Sequence, residues 1–137
     1  MITEKVTSML VEGLVRHAAK YDASPLQTQL NISLRIENNE AFPRYKVLKK
    51  YSEMEEVTIN GFRQVKIDIV GIGDMVSSFI VNKLVAMADE LAIDYNDISA
   101  MVVLKAVEGE DDEFEPCIFI YDGANSRKKI SVADLLA

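Results

Sequence analysis

Apolar residues at Ile2, Val6, Met9, Leu10, Leu14 and Ala18 recur at three- and four-residue steps, which predicts an amphipathic helix running from Thr3, a candidate cap, to about Tyr21. That stripe does not hold every apolar side chain. Val11 and Val15 fall on its far side, and the wholly polar arc narrows to Lys5, Ser8, Glu12 and Arg16. After a polar turn at Asp22 to Pro25, Leu30, Ile32, Leu34 and Ile36 alternate with Asn31, Ser33, Arg35 and Glu37. This period of two is the signature of a strand buried on one face.

A polar loop, 37–43, follows, and Arg44 to Glu55 supports two readings. Val47, Leu48, Tyr51 and Met54 suit a short helix entered through Pro43, whereas Tyr45, Val47 and Tyr51 suit an edge strand; the helix is the favoured expectation. Asn60-Gly61 lies between Val57-Thr58-Ile59 and Phe62 to Val70, and these two residues tolerate the positive φ of a tight hairpin turn. The second arm would send Val65, Ile67 and Ile69 to one face. Gly71-Ile72-Gly73-Asp74 then turns into a second helix, Met75 to about Leu91, with Asp74 as its cap.

The second helix repeats the excess of the first. Val76, Ile80, Val81, Leu84, Met87, Ala88 and Leu91 form a broad stripe, while Met75, Phe79 and Ala86 lie on the opposite flank. Two strongly apolar strands, Ala100 to Val107 and Pro116 to Tyr121, are joined by the acidic link Glu108 to Glu115. Asp122 to Asn125 turns again, and Ser131-Val132-Ala133-Asp134 resembles a capping box opening a last helical turn.

No repeat, low-complexity tract or linker is evident, so residues 1–137 read as one α+β domain. The expected architecture is a two-layer sandwich, an antiparallel or mixed sheet with helices on one face. With 44–55 as helix, Leu30 to Val107 has the strand and helix order of a ferredoxin-like split βαβ core, to which an N-terminal helix and a C-terminal hairpin are added.

Charge and cysteine usage narrow the partners. Fifteen basic and 22 acidic side chains give a formal charge of -7, a field that repels phosphate backbones and disfavours nucleic acid. A single cysteine, Cys117, forms no internal disulfide and sits in a strand-like run, which fits a reducing, cytoplasmic setting. The chain shows no apolar run long enough to span a membrane and no signal-peptide pattern, so no membrane association is expected.

Chemistry-bearing groups are sparse. Gly71-x-Gly73 at a strand-to-helix turn is where backbone amides and a helix dipole can hold an anion, but Asp74 as a cap would occupy the amide site and repel it. His17 is the lone histidine, so no two-histidine metal site is available, and Cys117 has apolar neighbours. The acidic link has oxygens enough for calcium without the spacing that folds a loop around it, and otherwise offers a contact for a basic partner. Ser77 and Ser78 lack a nucleophile motif. Neither a catalytic residue, nor a metal site, nor a cofactor is assigned, and the balance leans away from an enzyme.

What remains is surplus apolar surface. Val11 and Val15 on the first helix, with Met75, Phe79 and Ala86 on the second, exceed what one sheet face covers, and such surface marks contacts between proteins. The leading expectation is a non-enzymatic assembly or adaptor subunit that docks a protein partner or forms a homo-oligomer through its helical layer. In the competing packing, the sheet and the C-terminal elements hide Val11 and Val15 within the monomer. The runner-up function is a small-ligand or anion site at Gly71, Gly73 and Asp74; a third is an enzyme pairing Asp68 with Glu37.

Overall fold

The cleanly alternating segment becomes the middle of a sheet. The structure, a computed structural model, describes residues 1–37, 40–50, 53–58, 72–110, 112–123 and 127–137. Its elements are α1 (Ile2–Lys20), β1 (Gln29–Glu37), β2 (Glu40–Lys50), β3 (Glu53–Thr58), α2 (Asp74–Leu91), β4 (Ser99–Ala106), β5 (Phe114–Tyr121), β6 (Arg127–Ile130) and α3 (Val132–Leu136). Among the described residues the six strands form one sheet in the order β3-β2-β1-β4-β5-β6, antiparallel throughout.

Period-two burial places the core. Leu30, Ile32 and Leu34 of β1, Ala100, Val102 and Leu104 of β4, and Ile118 and Ile120 of β5 are buried in one cluster with Val6, Leu10 and Leu14 of α1 and Val76, Ile80 and Leu84 of α2. The intervening Asn31, Ser33, Met101, Val103 and Phe119 are only half-buried. The molecule is therefore an α+β two-layer sandwich with its core between the helices and one sheet face. Lys5, Ser8, Glu12 and Arg16 are exposed, as the helical pattern predicts.

Three local expectations need correction. Arg44 to Lys50 and Glu53 to Glu55 are strand rather than helix, in β2 and β3, and with the helix goes the βαββαβ order built on it. Pairing with β1 on one side and β3 on the other overrides the helical spacing of Val47, Leu48, Tyr51 and Met54. Helix α1 starts at Ile2 with Met1 as its cap, not Thr3, and α2 is capped by the backbone of Gly73 (φ 95°), with Asp74 as its first helical residue. The hairpin arm Phe62 to Val70, Asn60-Gly61 and Gly71 lie outside the described residues.

The fourth correction is the largest: the chain does contain a repeat. Helix α1, a 3-10 turn at Pro25–Gln27 and strands β1, β2 and β3 are followed by α2, a 3-10 turn at Tyr95–Asp97 and strands β4, β5 and β6. Ile2, Val6, Ser8, Leu14, Val15, Ala18 and Leu34 recur unchanged 70 positions later as Ile72, Val76, Ser78, Leu84, Val85, Ala88 and Leu104. The hairpins match as well: Leu34 faces Pro43 in the first and Leu104 faces Pro116 in the second, three residues having been added between the strands.

Even the backbone irregularities recur. Each long helix ends in a residue with φ 55°, Asp22 and Ala92. Ala23 N–H donates to the Ala18 carbonyl (2.9 Å) as Ile93 N–H does to that of Ala88 (3.0 Å), and Asp22 to Ala19 as Ala92 to Asp89 (both 3.3 Å). These are the paired bonds of a Schellman motif, which closes the orphan carbonyls of a helix end. Ser24 and Asp94 then cap the two 3-10 turns with their side chains.

The two units meet through β1 and β4 about a pseudo-two-fold axis. Gln29 faces Val103 and Ser33 faces Ser99, pairs that exchange under the 70-residue shift, while Asn31 facing Met101 maps onto itself. The helical layer breaches the symmetry where α1 meets the start of α2. Gly13 of α1 is buried where a β-carbon would come within 2.5 Å of Ile72 Cγ2, whereas its counterpart Lys83 carries a full side chain.

The left-handed helix ends generate a prediction. A non-glycine residue in that region is strained by roughly 1–2 kcal/mol, with Asp tolerated better than Ala. Ala92→Gly should stabilise the protein by about 0.5–1 kcal/mol after the glycine entropy penalty, and Asp22→Gly by less. Urea denaturation measures both; a loss of stability in Ala92→Gly would contradict the assigned helix end.

Candidate functional site

The flank of α1 that carries Val11 and Val15 is the candidate site. Both valines are half-buried and packed against the core from its edge. Facing them is the link between β4 and β5, folded back by the Val107 amide donating to the Glu113 carbonyl at 3.0 Å and turned at Gly109 (φ 82°). Ser8, Val11, Glu12, Val15, Asp112, Glu113 and Phe114 line an open groove of about 570 Å³ between them.

Its chemistry is amphipathic. Val11, Val15 and Phe114 make an apolar floor, each half-buried, and exposed Glu12, Asp112 and Glu113 make an acidic rim. Arg16 approaches Glu12 at 4.0 Å, but both side chains are well exposed, so water screens the pair heavily. The acidic link is thus not only a solvated loop tip; it forms one wall of the groove.

Comparison between the repeats marks this flank as different. The counterpart of Val11 is Val81, which is 0% exposed, and Ser77 is fully buried where Thr7 is only half-buried. The Val11 position is thus covered in the second unit and half-buried in the first, whereas Val15 and its counterpart Val85 are half-buried alike. The remaining apolar residues of the expected interface lie elsewhere: Met75 and Phe79 are half-buried against the core, and Ala86 is exposed on α2 outside the groove.

The turn that enters α2 at Gly73 is arranged for packing. A β-carbon on Gly73 would fall 2.5 Å from Met9 Cε, so the side chain of α1 already stands against this turn. His17 lies edge-on to Tyr21 with ring centroids 5.0 Å apart, and Cys117 is buried on β5 opposite Val103. No group of three potential metal ligands occurs among the described residues. Asp68 lies outside them, and no described helix is long and apolar enough to cross a membrane.

A second, smaller depression of about 190 Å³ lies between α2, β6 and α3, lined by Lys83, Met87, Glu90, Lys128, Ile130, Asp134 and Ala137. Here the expected capping box is present. The Ser131 amide donates to the Asp134 carboxylate and the Asp134 amide to the Ser131 hydroxyl, both at 3.0 Å. The bond from the Ser131 backbone, then its side chain, then the charges of Lys128 and Lys83 hold the Asp134 carboxyl below its ordinary 3.8.

Sequence reading found the valines and the acidic link separately. It missed that they adjoin, because contact between the first helix and a loop 100 residues later leaves no local signal. Searches against protein-family models, curated proteins and solved structures find no match for this chain.

The capping box sets a pH-dependent prediction. Because the Asp134 value is lowered on folding, its contribution to stability is present above about 3.8 and is lost as pH falls through the folded value. Ser131→Ala should move the Asp134 titration part of the way up toward that ordinary value, since the backbone amide still donates, as read by NMR of the side-chain carboxyl carbon. An unmoved titration would show that the Ser131 hydroxyl takes no part in holding the carboxylate.

Proposed function

We propose that this chain is a non-enzymatic assembly or adaptor subunit that binds a protein partner through its helical layer, at the groove between α1 and the β4–β5 link. The observation that carries this reading is the contrast between Val11 and Val81: the same position of the same unit is sealed in one repeat and half-buried, beside the groove, in the other. The partner chemistry follows from floor and rim. An amphipathic segment would lay aliphatic side chains on Val11, Val15 and Phe114 and bring lysine or arginine to Glu12, Asp112 and Glu113.

Magnitudes favour the floor over the rim as the source of affinity. Full burial of a valine side chain is worth roughly 1.5–3 kcal/mol, so completing two half-buried valines and a phenylalanine supplies a few kcal/mol. Exposed ion pairs add about 0–1 kcal/mol each and act mainly on encounter rate, assisted by the overall charge of -7. A reducing, cytoplasmic setting belongs to the same reading, since the thiol of Cys117 is buried and free.

The test uses a synthetic amphipathic peptide of alternating lysine and leucine pairs, titrated into the labelled protein. Methyl shifts should concentrate at Val11 and Val15, and Val11→Glu with Val15→Glu should weaken binding at least tenfold while the fold persists by circular dichroism. Shifts scattered over acidic surface, or binding indifferent to the valines, would defeat the groove as the site.

A further inference from the structure

The sheet has a second face, and the two units furnish it differently. On the face away from α1 and α2, alternation sets Asn31 and Ser33 of β1 at the positions that Met101 and Val103 hold in β4. The second strands repeat the exchange: counted from the matched prolines Pro43 and Pro116, Arg44 and Lys46 correspond to Cys117 and Phe119. One unit is polar where the other is apolar. A face that met only water would be polar in both units, as the solvated side of an antiparallel sheet is.

The apolar positions adjoin across β4 and β5. Met101 faces Phe119, Val103 faces Cys117 and Ser99 faces Tyr121, whose hydroxyl donates to Met101 Sδ at 4.0 Å. Met101, Val103, Phe119 and Tyr121 are half-buried, whereas Val102 and Ile118, turned to the core, are sealed. The strip is two strands wide, about 10 Å at the usual strand spacing, which matches the width of one α-helix with its side chains. Its borders are polar and charged. The pair of Lys105 and Glu115 (3.6 Å) closes one end, Asn31 and Ser33 lie along β1, and exposed Arg127 and Lys129 lie along β6.

We propose that this strip binds an amphipathic helix of a protein partner, its aliphatic stripe lying along β4 and β5 and its carboxylates turned to Arg127 and Lys129. The sheet already accepts such packing, since α1 and α2 lay aliphatic stripes on the other face of the same strands. Charge sets the sign of the partner. Tyr121 faces Arg127 and Phe119 faces Lys129, while Glu115 at the far end is already paired with Lys105. The net charge of -7 opposes an acidic partner only at long range, because screening limits that repulsion to about 8 Å at physiological salt. A single-stranded nucleic acid fits the strip less well. Base stacking needs open ring faces, and the Arg127 guanidinium already lies over the Phe119 ring, 4.7 Å from its centroid, while Met101 and Val103 offer no ring. The strip is separate from the groove on α1 and takes a partner of the opposite sign.

Titration of the labelled full chain with a synthetic helical peptide of about 15 residues, leucine at three- and four-residue steps among glutamate and alanine, tests the proposal. Shifts should concentrate at the Met101 and Val103 methyls and leave Val11 and Val15 unmoved. Met101→Asn with Val103→Ser, which gives β4 the residues that β1 carries, should weaken binding at least tenfold while the fold persists by circular dichroism. Arg127→Glu with Lys129→Glu, at exposed positions, should do the same and should leave binding of the lysine and leucine peptide at the groove intact, which keeps the two sites separable. No saturable binding, shifts concentrated elsewhere, binding that survives either double substitution, or tighter binding of oligouridine at the same methyls would overturn the proposal.

Discussion

Antiparallel pairing of β1 with β4 is the constraint on which the rest of the molecule depends. It joins two copies of a helix, turn and three-strand unit about the Asn31 and Met101 pair, and it makes their buried faces coplanar. Leu30, Ile32 and Leu34 then stand beside Ala100, Val102 and Leu104 on a single floor, over which α1 and α2 close the core. A one-residue slip would turn both sets to the wrong face, so register here is held by burial from both units at once.

Duplication explains why the irregular features come in pairs and why their differences are informative. Where both units need the same thing, the chemistry agrees: a Schellman ending, a capped 3-10 turn, and a proline in the second strand of each hairpin. Where only one backbone can approach closely, it does not, as with Gly13 against Ile72 and Lys83 in the matching place. Surface positions diverge furthest. Asn31 matches Met101, Val11 is half-buried where Val81 is sealed, and the acidic β3 corresponds to the basic β6. A duplicated scaffold with unlike surfaces can present several distinct contacts, consistent with the role proposed for it.

Local structure was legible in the sequence where one face of an element is buried and the other is wet. That held for the alternation of Leu30 to Leu34, the polar arc of α1 and the Ser131 capping box. β2 was hidden because Val47, Leu48, Tyr51 and Met54 happen to fall at helical spacing, and β6 because three of its four residues are cationic. The repeat escaped because its identities are few and scattered along the unit. The longer second hairpin also shifts the offset from 70 to 73 residues between Leu34 with Leu104 and Pro43 with Pro116. Of the candidate site, the valines were readable and their neighbours were not, since closure by Phe114 is a long-range event.

Amide hydrogen exchange, followed residue by residue, tests the two-unit architecture most directly. Exchange reports how firmly each backbone hydrogen bond is held, and central strands shared by two cooperative units open only with the whole. Protection should be greatest in β1 and β4 around Asn31 and Met101, with hydrogen-bonded amides of the two strands exchanging at matching rates 70 positions apart. A β1 that exchanges freely while β4 and β5 stay protected would mean that the junction is not where the fold is secured, and would contradict the account.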